Sequence, residues 1–237
     1  MHYEVINKSF LYYFIGFVFF TILGTVTHEL GHIVVARSLG YGTVLHFGSM
    51  NWNINNGWEE IEDIALDYQY EIQNDLPFEK KSEYEKKIRE LNSDNFKITM
   101  GGILQTILFG SVGLLFLLLR LKLVRNNGLQ KIDWLFIFLS LFWLREPFNL
   151  FVNIVFSFLN NNDIYFKGDE AKISEQLNLF PGTISILLGI CGLIIVGFVI
   201  FAIIPAKKRS TFIRAGLVGG ISGYFLWMKI IGPIVLP

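Results

Sequence analysis

Two histidines and a glutamate stand together in THELGHIVVARSLG, residues 27–40, where His28, Glu29 and His32 make an H-E-x-x-H pattern. On a helix, residues four apart share a face, so both imidazoles reach one metal ion while Glu29 stands beside a water held there. Imidazole suits Zn²⁺, and a catalytic zinc takes three protein ligands and keeps a position open for water. The metal brings the pKa of that water towards neutrality; the carboxylate takes its proton and returns it to a leaving amine. The chain has four histidines, and random placement would give this pattern in only about one such sequence in 300. The competing reading is a buried histidine pair satisfied by its neighbours, with Glu29 paired to Arg37. An ionisable triplet at the edge of an apolar span is costly without compensation, which favours a functional role.

Three acids downstream are candidates to complete the ligand set: Asp163, Asp169 and Glu170. Asp169 follows a glycine and opens an amphipathic pattern with Ile173, Leu177 and Leu179, which predicts a helix start. The same position suits an N-cap aspartate that binds no metal. Asp163 is the alternative ligand, and His46 is a fallback in a loop.

The elements that must hold these groups read as membrane helices. The chain is 52% hydrophobic and 16% aromatic, above the usual soluble range. A transmembrane helix needs about 20 mostly apolar residues. Uncharged windows at 9–28, 98–119 and 176–206 qualify, and 134–159 and 215–237 are interrupted only lightly. The reading is an all-α polytopic membrane protein of about five spans, one unit over 1–237, with an acidic soluble excursion at 41–97. The first apolar run is too long for a signal peptide and passes directly into the histidines, so it reads as retained. Cys191 is the single cysteine, which leaves no intrachain disulfide and no thiolate metal cluster.

Charge placement adds an orientation. Residues 41–97 carry 12 acidic against 6 basic residues, a net of minus six, while 119–133 and 206–214 each carry four basic residues. The positive-inside rule puts both basic connections in the cytoplasm, and alternating spans then put the N-terminus inside and 41–97 outside, in the plasma membrane. HELGH lies near the far end of the first span and Asp169 just beyond the far end of the third, so both fall on one side.

Within the excursion, YGTVLHFGSMNWNINNG suggests a short hairpin lying against the membrane, with Leu45, Phe47, Trp52 and Ile54 partly alternating. Residues 79–91 interleave both charges at helical spacing, as a solvated helix does. The third span is broken by Arg145, Glu146 and Pro147, and proline there predicts a kink. Charged residues at that depth either serve function or pair with protein groups to position helices. Asn149 and Asn153, four apart, are candidates to line a substrate groove, and helix packing explains them equally well. No basic patch suggests nucleic acid.

HELGHIVVARSLG on the first long apolar helix resembles the signature of the site-2 proteases, the intramembrane zinc metalloproteases. The likeness is specific over about 14 residues and architectural elsewhere. It implies hydrolysis of peptide bonds in or near the transmembrane segments of other membrane proteins, with zinc completed by an aspartate on a later helix, commonly in an L-D-G setting. GDEAKISEQLNLFPG, 168–182, resembles a divergent form of that aspartate motif, without the L-D-G itself. MGGILQT, 100–106, resembles the family's glycine-rich stretch after the soluble excursion, and close helix packing is its structural reading. The expected site is therefore Zn²⁺ on His28, His32 and Asp169, Glu29 as general base, and Asn149 and Asn153 on the substrate. The expected partners are a transmembrane substrate and the lipid bilayer. The alternative from another class is a non-hydrolytic metal-binding scaffold or escort for membrane proteins. A transporter fits less well, because only one span is visibly broken.

Overall fold

In the computed structural model, residues 8–53, 58–159 and 166–236 are described. Ile54 and Asp163 lie outside them. Helix α1 (Lys8–Ser38) leads into a hairpin of β1 (Gly42–Leu45) and β2 (Met50–Asn53), antiparallel with Gly42 opposite Asn53 and Leu45 opposite Met50. Short helices α2 (Trp58–Asp67) and α3 (Gln69–Gln73) follow, then the long α4 (Lys81–Asn127). Helix α5 (Lys131–Ser140), a 3₁₀ turn at Leu141–Leu144 and α6 (Arg145–Leu159) make the third span. Helix α7 (Asp169–Gln176) is short. Helix α8 (Thr183–Phe198) ends in a π turn, and α9 (Ala206–Phe225) continues through another π turn into α10 (Gly232–Val235).

Among the described residues, five helical stretches are long and apolar enough to cross a membrane: 8–38, 81–127, 131–159, 183–203 and 206–235. Large apolar side chains such as Leu11, Leu119, Phe158, Ile194 and Ile221 stand exposed. In a water-soluble protein such a surface would be a liability; against lipid it is the expected outer face. The protein is thus an all-α polytopic membrane protein with one small hairpin.

Packing inside the bundle comes from aromatic rings and small residues. Tyr13, Phe17, Trp134, Phe138 and Phe212 join α1, α5 and α9 at one end, with the Tyr13 ring 4.8 Å from Trp134 and 5.3 Å from Phe212. Along α9, Gly219 and Gly223 let the backbone of α1 approach at Phe14 and Val18. Without water to drive helices together, close approach through small residues supplies van der Waals contact instead.

Where α1 crosses α4, a Cβ added at Gly31 would stand 2.5 Å from the carbonyl oxygen of Gly101, and one at Gly101 would stand 2.5 Å from that of Gly31. The glycine inside HELGH and the first glycine of MGG are mates.

Three expectations are corrected. The charged helix expected at 79–91 is not separate from the second span: from Lys81 onward both belong to α4, about 70 Å long at 1.5 Å per residue. The MGG stretch therefore lies mid-helix, because nothing between Leu91 and Ile98 carries a proline or glycine stop. The basic stretch 206–214 is not a loop but the first turns of α9, since Pro205 immediately precedes it and fits a helix start. Beyond α7, Leu177 and Leu179 are exposed while Ile173 is buried, because the helix ends at Gln176.

Both basic stretches nevertheless meet at one end of the bundle. Lys208 lies over the Trp134 ring, 5.7 Å from its centroid, and Arg120 bonds the buried Asp133 at 2.6 Å and Gln130 at 3.0 Å. His28 stands fifteen residues along α1 from Tyr13, about 22 Å by helical rise, so the histidines lie near the opposite end.

Candidate metal centre

His28, Glu29 and His32 sit in the last third of α1, where the all-round apolar helix turns one face towards α4 and α7. They are 0%, 7% and 6% exposed, inside the protein and not against lipid. His28 Nε2 and His32 Nε2 are 3.2 Å apart, and each lies 3.1 Å from Asp169 Oδ2. Three candidate ligand atoms from α1 and α7 thus form a nearly equilateral triangle.

The opposite nitrogen of each ring decides what faces that triangle. His32 Nδ1 lies 2.7 Å from the carbonyl oxygen of Ile98, which can only accept, so Nδ1 carries the proton and donates it. The Gly102 amide approaches the same nitrogen at 3.2 Å, and the shorter bond to Ile98 sets the tautomer. His28 Nδ1 is 2.9 Å from Thr106 Oγ1, and that hydroxyl has Gln105 Oε1 at 3.4 Å for its own proton. Both Nε2 lone pairs therefore converge on the Asp169 carboxylate. Three electron-rich atoms so close repel one another unless a proton or a metal cation lies between them.

The donor set fits zinc on two counts. Two imidazoles and a carboxylate are an accepted catalytic zinc set, and bond lengths of 2.0–2.1 Å in a tetrahedron put ligand atoms about 3.3 Å apart. The protein acceptors behind each imidazole fix ring orientation in the way such sites require.

Asp169 is the first residue of α7, and the N-cap position belongs to Gly168 at φ +100°, a left-handed conformation suited to glycine. The capping role weighed for Asp169 is accordingly not the one it plays. Its Oδ2 faces both Nε2 atoms, 3.1 Å from each. Its other oxygen, Oδ1, lies 3.8 Å from Lys172 Nζ.

Glu29 is set beside the triangle. Its carboxylate oxygen and both imidazole donors lie within 4.8 Å of one another. Arg37 is not its partner, since Arg37 Nε donates to Thr43 Oγ1 at 2.8 Å. Among the described residues Glu29 makes no side-chain hydrogen bond, which leaves both oxygens available to a proton.

Helix α6 braces α7 from the far side. Asn153 Nδ2 donates to the Lys167 carbonyl at 3.2 Å while its Oδ1 accepts the Lys167 amide at 3.3 Å, clamping the backbone two residues before Asp169. Asn149 Nδ2 donates to Glu170 Oε1 at 3.1 Å. Both amides line a pocket of about 280 Å³ that also reaches Asp169. His46, the fallback ligand, lies in the hairpin turn with Asn51 Nδ2 3.1 Å from its Nε2, away from the triangle.

Sequence reasoning passed over Thr106, Gln105 and the Ile98 carbonyl. The signal for Thr106 was its place four residues after Gly102, on the same helix face. A Cβ at Gly102 would collide with the His32 ring and stand 2.7 Å from His28 Nε2. No protein-family model, curated protein or solved structure matches this chain.

Proposed function

We propose that the protein is a zinc-dependent intramembrane endopeptidase that hydrolyses peptide bonds in or near the transmembrane segments of other membrane proteins. One observation carries the reading: His28 Nε2, His32 Nε2 and Asp169 Oδ2 converge within 3.1–3.2 Å, with a buried, unbonded Glu29 beside them. The HELGH resemblance to site-2 proteases agrees with it.

His28, His32 and Asp169 would hold the ion, two neutral donors and one anion. Bound zinc would supply a Lewis acid that polarises a carbonyl and acidifies water. Glu29 takes the proton from the attacking water and delivers it to the leaving nitrogen. Ile98 and Thr106 keep both rings in the Nδ1–H tautomer throughout. The surrounding α1, α4 and α7 exclude bulk water, which strengthens each of these interactions. A substrate helix would have to unwind to offer its carbonyl, and Asn149 and Asn153, bonded to Glu170 and to the Lys167 backbone, would shape the wall it meets and brace α7 behind it.

The test is Glu29→Gln in protein reconstituted with a membrane-anchored substrate. Loss of a general base typically costs 10²- to 10⁴-fold in rate; that loss with zinc content unchanged is the expected result. A Glu29→Gln variant with full cellular function would instead favour the metal-binding scaffold.

A further inference from the structure

Arg145 opens α6 directly after the 3₁₀ break in the third span, and its Nε is buried with no hydrogen-bond partner. Among the described residues its guanidinium forms no ion pair. It lines the same pocket as Asp169, together with Asn149, Asn153, Lys167 and Glu170. The acids of that wall are already engaged: Asp169 Oδ2 faces the imidazoles and Glu170 Oε1 accepts from Asn149. Asn153 is engaged at both its polar atoms and Asn149 at Nδ2. What the pocket offers a ligand is therefore the positive charge of Arg145, with exposed Lys167 on the rim.

The carboxyl groups of Glu29 and Glu146 sense the charge of Arg145 without bonding it, and a cation with no bonded partner at this depth is expensive, so such residues bond something in the working protein. A planar guanidinium with free donors matches a carboxylate in two parallel hydrogen bonds. The space of about 280 Å³ is sized for a side chain or chain end and not for a large ligand.

We infer that the Arg145 pocket is a subsite for a carboxylate of the substrate, next to the metal centre. The inference rests on the peptidase reading and narrows its substrate class to segments that bring a carboxylate close to the cleaved bond. That group is an acidic side chain or a free C-terminus; the chemistry is shared.

Three fluorescent apolar peptides of one sequence separate these cases: an amidated neutral form, the same peptide with a free C-terminal carboxylate, and an amidated form with one internal Glu. Binding to the Glu29→Gln protein in nanodiscs is read by anisotropy, and the wild type is assayed in parallel for zinc and for hydrolysis. One carboxylate peptide is expected to bind at least about tenfold tighter than the neutral one, as a charge-assisted bidentate contact would give. Adding Arg145→Gln should erase the gain and leave the neutral affinity unchanged, while Arg145→Lys keeps part of it. Equal binding of all three peptides, binding of none, or a gain that survives Arg145→Gln in a monodisperse protein overturns the subsite. An Arg145-dependent gain in a wild type that lacks zinc and cleaves nothing would sustain the subsite and reject the peptidase.

Discussion

At the scale of single residues, the site is defined as much by what stands behind the ligands as by the ligands. Thr106 and the Ile98 carbonyl accept from the two Nδ1–H groups, at 2.9 and 2.7 Å, and so point both lone pairs at Asp169. Thr106→Val keeps the shape and removes the acceptor. Partners of this kind are worth about 10–100-fold in metal affinity, so competition with a chelator should show a loss in that range at unchanged folding. Unchanged affinity would mean that the His28 tautomer is set by something else. HELGH was legible in the sequence because its spacing is local, four residues on one helix. Asp169 was legible only as one of several acids, because its contact with His28 spans 141 residues and no periodicity encodes that. Thr106 was invisible for the same reason.

At the scale of elements, the glycines explain why the site needs α4 in this register. Gly31 meets Gly101 backbone to backbone, and Gly102 leaves the space that the two imidazoles fill. Gly102→Ala puts a methyl group against His32 and His28 without touching either ligand's identity. The expected outcome is a folded, membrane-inserted protein that has lost most of its bound zinc, measured beside the wild type. Gly101→Ala, by contrast, would push the α1 and α4 backbones apart and lower the melting temperature, so the two glycines separate site from scaffold. Three of the five spans were readable from uncharged windows and two from lightly interrupted ones, and the break in the third was signalled by Arg145, Glu146 and Pro147. Fusion of 79–91 with the second span was not, because charged and apolar stretches of one helix look like two elements when read by composition.

At the scale of the molecule, the chain divides by charge. Arg120, Lys131 and Lys208 gather at the aromatic end of the bundle, whereas the hairpin, the acidic α7 and the mixed-charge first turns of α4 lie at the proposed metal end. The positive-inside rule predicts a cytoplasmic aromatic end. In a Cys191→Ser background, Ser210→Cys should react with an impermeant maleimide only after the membrane is opened, and Asn74→Cys should react in intact cells; the reverse pattern would place the metal end inside. The proposed function rests on three atoms, and elemental analysis of the purified protein addresses them directly. Near-stoichiometric zinc in the wild type, lost in His28→Ala and Asp169→Ala, is the expected result. A well-folded wild type that binds no zinc would contradict the metal centre and leave HELGH as a polar helix end serving another purpose.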